Sequence, residues 1–145
     1  MERRVADRLQ DARRAPVTAR MSNVSVGIDL VQISAIAESV ERFGERFLER
    51  VFTRGEIDYA RTSPAQFASR LSARFAAKEA VRKALRLDGV AWRDIEVVRH
   101  EDGACAIALH GTARHLAESD GGGLAVSLSH ENDQAAAVVI ATRDA

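Results

Sequence analysis

Near the middle of the chain stands Arg74-Phe75-Ala76-Ala77-Lys78-Glu79-Ala80-Val81-Arg82-Lys83-Ala84-Leu85, inside a segment, residues 65 to 86, without glycine or proline. Alanine and long unbranched side chains dominate this segment, and such residues have the highest helix propensities. The composition therefore predicts a single helix of about twenty residues.

Stripes run along this predicted helix, because side chains three or four residues apart lie on one face. One interpretation is a solvated helix with ion pairs such as Glu79 to Lys83, each contributing roughly 0.3 to 0.5 kcal/mol. The other is that its polar residues meet those of other segments in one site. The basic stripe consists of Arg70, Arg74, Lys78 and Arg82, and the mixed stripe of Phe67, Leu71, Phe75, Glu79 and Lys83. A third stripe of small side chains, against which a neighbour can pack closely, consists of Ala73, Ala77, Ala80 and Ala84.

Two β-branched runs with polar ends flank the helix in the sequence. One covers residues 24 to 31 and carries Gly27 and Asp29, and the other covers residues 126 to 129 and ends before His130. Both predict strands. Asp29 would emerge at a sheet edge, where Gly27 leaves room for a ligand to approach the backbone. The alternative is that Asp29 caps the helix that follows.

Helices are predicted between the first strand and the long helix. Apolar residues recur at helical spacing from Ser34, a candidate N-cap, to about Arg50, which indicates one amphipathic helix. Thr53 and Glu56 have the capping-box spacing and predict a second, short helix that ends before Pro64.

The second half of the chain predicts hairpins and one short helix. Two runs in which apolar and polar residues alternate flank a turn at residues 101–103, which predicts a hairpin. Residues 111–118 have a helical pattern, and a final hairpin is predicted with its turn at residues 130–133. The order strand, three helices, hairpin, helix, hairpin predicts an α+β fold in which an antiparallel sheet packs against the long helix.

The overall composition fits one globular domain. The chain has 145 residues, of which 46% are hydrophobic, and a formal net charge of zero. The zero charge argues against a general nucleic-acid binder. Cys105 is the only cysteine, which excludes an internal disulfide and fits a reducing cytoplasm. The longest apolar run, residues 135–141, is shorter than the about twenty residues that span a bilayer.

The first twenty residues differ from the rest, with six arginines against three acids. They lack the apolar core of a signal peptide. We interpret residues 1–20 as an Arg-rich arm, disordered or forming a short helix, and residues 21–145 as the domain. The fold should not need the arm.

Four segments, in order, resemble the holo-acyl-carrier-protein synthases, the small class of 4′-phosphopantetheinyl transferases, and the resemblance runs from residue 24 to residue 142. It implies the family's fold and transfer of the phosphopantetheine arm of coenzyme A to a serine hydroxyl of an acyl or peptidyl carrier protein, with release of 3′,5′-ADP. It also implies a homotrimer with active sites at the subunit boundaries. The segments are Gly27-Ile28-Asp29, residues 46–56, residues 74–85 and Ser127-Leu128-Ser129-His130.

A magnesium site is implied by the same resemblance, with Asp29 and Glu79 as the metal ligands. Isolated carboxylates without histidine or cysteine partners suit Mg²⁺, which completes its coordination with water and substrate phosphates. Lys78, Lys83 and Arg74 would supply cations around the pyrophosphate of coenzyme A. The base for the attacking serine stays open between Glu79 and a water molecule on the metal.

The histidines and Trp92 carry weaker signals. His130 either donates to a coenzyme A phosphate or is a turn histidine bonded to backbone. Trp92 is expected to anchor the core. Ser127 and Ser129 would face one side of a strand, where polar pairing is the simpler interpretation. The remaining histidines have no partner at ligand spacing and are expected at the surface: His100, His110 and His115.

Carrier recognition should differ from that of related proteins. The family commonly has an acid three residues and an arginine six residues after the metal-binding Asp, whereas Gln32 and Ala35 stand here. Arg42, Arg46 and Arg50 recur every four residues and predict a basic line that either docks the carrier or is a solvated face.

The sequence leaves the carrier unidentified, whether it serves fatty-acid, polyketide or peptide synthesis. A non-catalytic domain that binds carrier proteins is the alternative to a transferase. Retention of both Asp29 and Glu79 favours the transferase.

Overall fold

The computed structural model describes residues 23–118 and 121–144. The Arg-rich arm lies outside this part of the chain, so its independence from the fold stays a prediction. Single 3₁₀ turns, Pro64–Gln66 and Trp92–Asp94, precede the long helix and the second strand. The main elements are β1 Val24–Gln32, α1 Ile33–Phe43, α2 Glu45–Val51, α3 Arg54–Arg61, α4 Phe67–Leu85, β2 Ile95–Arg99, β3 Cys105–Leu109, α5 Gly111–Glu118, β4 Leu124–Glu131 and β5 Gln134–Thr142.

The long helix α4 forms as predicted and ends at Arg86, which adopts a left-handed conformation with φ of 52°. Its surroundings contradict the solvated interpretation, because even Arg74 and Lys78 of the basic stripe are buried. The helix is the central element of the core. Its other buried side chains are Leu71, Ser72, Ala73, Ala76, Ala77, Ala80, Val81 and Ala84.

A three-stranded antiparallel sheet, in the order β1-β5-β4, covers one side of α4. β1 pairs with β5 from Val24 opposite Thr142 to Gln32 opposite Gln134. The predicted α+β fold is thereby confirmed. The hairpin of β2 and β3 forms a sheet of its own rather than extending the first one.

The part of the outer sheet face that β1 forms is apolar. Successive side chains of a strand point to opposite faces, so Val26, Ile28 and Leu30 lie together on the side away from α4. Each of the three is more than 60% exposed, and Ile140, which pairs with Val26, is 46% exposed. An apolar patch of this kind commonly marks a site of association.

Close contact between β1 and α4 depends on Gly27. A Cβ atom at this position would lie 1.9 Å from the carbonyl oxygen of Ala80 and 2.9 Å from the amide nitrogen of Ala84. The small stripe of α4 therefore accepts a neighbour as predicted. The space beside Gly27 is occupied by the helix, however, which contradicts the prediction that a ligand approaches there.

The segment after β1 forms two helices instead of one. Gly44 has φ of 61° and separates α1 from α2. Ser34 is not the N-cap, because the helix already begins at Ile33. Asp133, from the turn between β4 and β5, caps this helix end: its carboxylate accepts hydrogen bonds from the Ser34 amide at 2.8 Å and the Ser34 hydroxyl at 2.6 Å.

Other local predictions are confirmed with small differences. Thr53 and Glu56 form both hydrogen bonds of the capping box at the start of α3. The final hairpin is tighter than predicted, because β4 and β5 extend to a two-residue turn at Asn132 and Asp133. Among the described residues, no helix combines the length and apolar composition needed to cross a bilayer.

Candidate active site

Asp29 and Lys83 bring β1 and α4 together at a solvent-accessible edge. Asp29 lies within β1, on the same face as Gly27 and Val31, and does not cap α1. The Lys83 ammonium donates to Asp29 Oδ1 at 3.1 Å and to the Ile28 carbonyl at 2.9 Å. The Asp29 side chain is 18% exposed and that of Lys83 is 54% exposed. A ligand from solvent can therefore reach both groups.

Glu79 lies one helical turn before Lys83 and so faces the same side of α4. Its side chain is half-buried and forms no hydrogen bond or ion pair with any residue that the structure describes. A carboxylate without a protein partner is available to a cation or a proton. The structure thus places the two predicted metal ligands on adjacent elements, with Lys83 between the strand and the helix.

Lys78 does not belong to this cluster, which contradicts its predicted contact with a phosphate. Its side chain is fully buried, and its ammonium donates to Glu56 Oε1 at 2.7 Å, to the Trp92 carbonyl at 3.2 Å and to the Ile95 carbonyl. A lysine has three donors, so none is left for a ligand. Burial lowers the pKa of Lys78, although Glu56 opposes this effect.

Arg74 is also buried, at 4% exposure, but it lines a cavity of about 300 Å³. Its guanidinium lies 4.4 Å from the ring centroid of Tyr59, which Arg70 and Arg99 also contact at 4.3 and 5.1 Å. Desolvation lowers the pKa of Arg74. Its Nε atom is buried without a hydrogen-bond partner among the described residues. Arg74 lies on the same stripe as Lys78, which faces α3 and β2, so the structure does not bring it to the cluster of Asp29 and Lys83.

His130 lies inside β4, opposite Ala135, and not in a turn as predicted. Its side chain is exposed. The register places it on the same sheet face as Asp29, two strands away, because Asp29 pairs with Ala137 and Val31 with Ala135. The structure does not bring His130 into contact with the cluster of Asp29 and Lys83.

Three arginines remain neighbours although Gly44 interrupts their helix. Arg42, Arg46 and Arg50 line a groove of about 630 Å³ together with Phe43 and Phe47. All three arginines are exposed, and Phe43 is 57% exposed. The predicted basic line is therefore one side of a basic groove with an aromatic floor.

Glu96 forms a second polar cluster that the sequence pattern did not indicate. It accepts a hydrogen bond from the Thr53 hydroxyl, and His110 Nε2 lies 3.0 Å from its other oxygen. Burial acts to raise the pKa of Glu96, but these contacts outweigh it and lower the pKa. His110 is at the surface as predicted, yet it has this partner.

Trp92 and the serines of β4 fit their predicted roles in part. Trp92 is half-buried, stacks on Phe75 at 5.2 Å between ring centroids and lies 3.7 Å from the Arg82 guanidinium. It anchors the segment after α4. Ser127 and Ser129 share the exposed face of β4.

With this geometry in place, comparison with known proteins gives the family. The sequence matches the family model of the 4′-phosphopantetheinyl transferase superfamily over residues 25–139. The chain belongs to this superfamily. The resemblance that four short segments indicated is thereby confirmed over most of the chain.

Named relatives and solved structures of the superfamily agree with this assignment. The holo-[acyl-carrier-protein] synthase of Koribacter versatilis (strain Ellin345) is 44% identical over 121 residues, which is 81% of this chain and 96% of that protein. The synthase of Gloeobacter violaceus (strain ATCC 29082 / PCC 7421) is 47% identical over 117 residues, 79% of this chain and 89% of that protein.

The structural match includes synthases with coenzyme A. The ACPS-CoA complex of Chronobacterium ammoniagenes superimposes with a TM-score of 0.75 at 34% identity, over 84% of this chain and 98% of that chain. The Helicobacter pylori synthase in complex with coenzyme A gives a TM-score of 0.70 at 30% identity, over 81% and 99%. The predicted fold of the superfamily is confirmed.

Proposed function

We propose that the protein transfers the 4′-phosphopantetheine group of coenzyme A to a serine of an apo acyl or peptidyl carrier protein and releases 3′,5′-ADP. The observation that carries this proposal is the Lys83 to Asp29 contact beside Glu79, whose carboxylate has no partner in the described part of the chain. It supplies carboxylate oxygens and a cation at one accessible edge, which is what pyrophosphate chemistry requires.

Asp29 and Glu79 are the residues that would hold Mg²⁺. The donor set fits the ion, because both donors are carboxylates and Glu79 has no competing protein partner among the described residues. The described part of the chain has no group of three or more His, Cys, Asp or Glu placed to hold a metal ion, and Mg²⁺ typically needs only one or two carboxylates beside substrate phosphates. When bound, the ion neutralises charge on the pyrophosphate.

Lys83 and Glu79 carry the groups that act on the reacting atoms. The serine oxygen forms a bond to the phosphorus that bears pantetheine, and the bond from this phosphorus to the 3′,5′-ADP oxygen breaks. Lys83 uses two donors on Asp29 and Ile28, so its third donor can balance charge on the leaving phosphate. The serine proton would pass either to Glu79 or to a water molecule beside it, which are the two candidate bases.

His130 is assigned to a phosphate of coenzyme A, and its exposed imidazole supports this assignment. Arg74, by contrast, is buried and lines a cavity together with Glu56 and Glu96, an environment that disfavours a phosphate. The separation of His130 from the Asp29 cluster fits a site that is completed by another subunit.

The exposed face of the three-stranded sheet supports assembly with further copies of this chain. Val26, Ile28 and Leu30 would be covered in a homotrimer, and covering this apolar area is favourable. Self-association through this face would also place the sheet edges that carry Asp29 and His130 near the subunit boundaries.

The groove of Arg42, Phe43, Arg46, Phe47 and Arg50 supports docking of the carrier protein. An acidic helix of a carrier complements its charge, and Phe43 offers an apolar contact between the arginines.

Incubation with coenzyme A, Mg²⁺ and a panel of apo carrier proteins tests the proposed function. We expect at least one carrier from fatty-acid, polyketide or peptide synthesis to gain the mass of one phosphopantetheine group. Carrier binding without any mass gain across the panel would favour the non-catalytic alternative.

A further inference from the structure

The buried ion pair of Glu56 and Lys78 joins α3 to α4, and further bonds of Lys78 reach the start of β2. Both side chains are fully buried, with Lys78 Nζ 2.7 Å from Glu56 Oε1. The same ammonium donates to the carbonyls of Trp92 and Ile95, at the start of β2. Lys78 is therefore fixed to α3 on one side and to the β2 segment on the other.

Glu56 is held as firmly as Lys78. Its Oε1 also accepts from the Thr53 amide at 2.9 Å, and its Oε2 accepts from the Val97 amide at 3.0 Å. The capping box that the sequence predicted is thus one part of a larger network. The other part crosses 22 residues of sequence to reach Lys78.

The packing of α4 explains why this network affects the position of the helix. The face toward β1 consists of small side chains, with Gly27 against Ala80 and Ala84. Small side chains interdigitate little, so this face of α4 is located by the close approach at Gly27 and by the bonds from Ser25 to the Ala84 carbonyl and from Lys83 to β1.

The opposite face of α4 is located by the bonds of Glu56 and Lys78. A fully buried ion pair is often no more stabilising than a hydrophobic pair of the same size. Its distinctive property is that directional bonds fix the position of the helix.

We propose that Glu56 and Lys78 are positioning residues, which set the rotation and axial position of α4 so that Glu79 and Lys83 face Asp29. Lys78 directly precedes Glu79, so a turn of the helix about its axis moves Glu79 by the same angle. Both positioning residues are fully buried, so they act through α4 rather than on substrate. This inference rests on the proposed function, because Asp29 and Glu79 are taken as the ligands of a divalent ion.

The test is the double variant Glu56→Gln/Lys78→Met, which removes both buried charges together. We expect its melting temperature to fall only moderately, because no unpaired charge is left in the core, although the carbonyls of Trp92 and Ile95 lose the Lys78 donor. We expect kcat to fall at least about tenfold, and affinity for Mn²⁺, titrated with 3′,5′-ADP present, to fall about fivefold or more. The matched control, Glu45→Gln/Arg61→Gln, neutralises an exposed ion pair and should change none of these quantities.

A double variant with wild-type kcat and wild-type Mn²⁺ affinity would overturn the proposal. If the double variant does not fold, Glu56→Asp is used instead. This variant keeps both charges, but its side chain is one methylene shorter, so the carboxylate no longer reaches Lys78 in the same geometry. Reduced kcat and Mn²⁺ affinity in folded Glu56→Asp support the positioning role, and unchanged values overturn it. If the wild type transfers nothing to any carrier, the proposed function fails instead, and Mn²⁺ binding still tests the positioning claim.

Discussion

Gly27 lies so close to Ala80 that the strand and the helix touch backbone to backbone. The Ala80 carbonyl oxygen is 1.9 Å from the position of a Cβ atom at Gly27. Two residues further along β1, Asp29 meets Lys83 of the same helix. The close approach therefore sets the geometry of the candidate active site.

Replacing Gly27 by alanine should destabilise the protein by about 3 kcal/mol, because the strand must move away from α4. Transfer activity should fall as well, since the shift separates Asp29 from Lys83. Urea unfolding measures the loss. Gly55→Ala is the control: its Cβ would meet Glu96 Oε2 at an ordinary 3.5 Å, inside a helix that favours alanine. Equal stability of the Gly27→Ala variant and the wild type would refute the close contact.

A charge on the outer face of the sheet should prevent assembly. Ile28 is 62% exposed in the single chain, so Ile28→Glu should leave the subunit folded but cost too much to bury in a homotrimer. Sedimentation equilibrium should show a trimer for the wild type and a monomer for the variant. Phe43→Glu, an equally exposed position on α1, should remain a trimer. A fully active monomer would count against a site shared between subunits.

Reversing one charge in the basic groove should weaken carrier docking. Arg46→Glu is expected to raise the KM for the carrier about tenfold and to make the remaining activity less sensitive to salt. The KM for coenzyme A should not change. Arg93→Glu, at an exposed position outside the groove, is the control.

Carrier preference should follow from the same surface. Because Ala35 stands where related proteins commonly have an arginine, we expect a housekeeping fatty-acid carrier to be used less well than a specialised one. Equal use of both carriers, together with an unaffected Arg46→Glu variant, would exclude the groove as the docking surface.

Stability should depend on pH through Glu96. Its pKa is lowered in the folded protein from an ordinary value of 4.5, so the unfolded chain binds this proton more readily. The contribution of Glu96 is thus present above about pH 4.5 and is lost as the pH falls through the folded pKa. In urea unfolding, wild type should lose more stability than Glu96→Gln between about pH 5.5 and pH 3. The groups that face Glu96 are Thr53, His110 and Lys78.

The exposed turn of the hairpin provides the comparison for this measurement. Glu101→Gln should follow the wild-type profile, because Glu101 lies in solvent between β2 and β3. Parallel profiles for wild type and Glu96→Gln would show that the contacts of Thr53 and His110 do not stabilise the ionised carboxylate.

Local sequence patterns predicted most elements because the interactions that form them are local. The helix α4 follows from a run without glycine or proline, and the capping box of α3 joins residues three apart. Gly44 was missed because a glycine inside an apolar helical pattern is often tolerated. Its positive φ, which splits the helix in two, depends on how the flanking helices pack.

The residues of the candidate site were predicted singly, and the contacts between them were not. Asp29 and Lys83 meet, and Glu79 lies one helical turn from Lys83, because a strand and a helix pack through Gly27; the family resemblance had indicated these residues. The sequence predicted that Lys78 binds a phosphate, but the basic stripe to which it belongs faces the core at this position. Its partners are 22 and 17 residues away in the sequence, and no periodic pattern connects residues at those separations.

The rate of phosphopantetheine transfer by Asp29→Ala and Glu79→Ala tests the central claim most directly. Each variant and the wild type would be incubated with coenzyme A, saturating Mg²⁺ and the best apo carrier, and product would be followed by intact mass. Asp88→Ala, which removes an exposed carboxylate after α4, is the control. We predict that both variants fold and melt normally and that each loses at least about a hundredfold in rate. Near-normal transfer by either folded variant would contradict the assignment of the site.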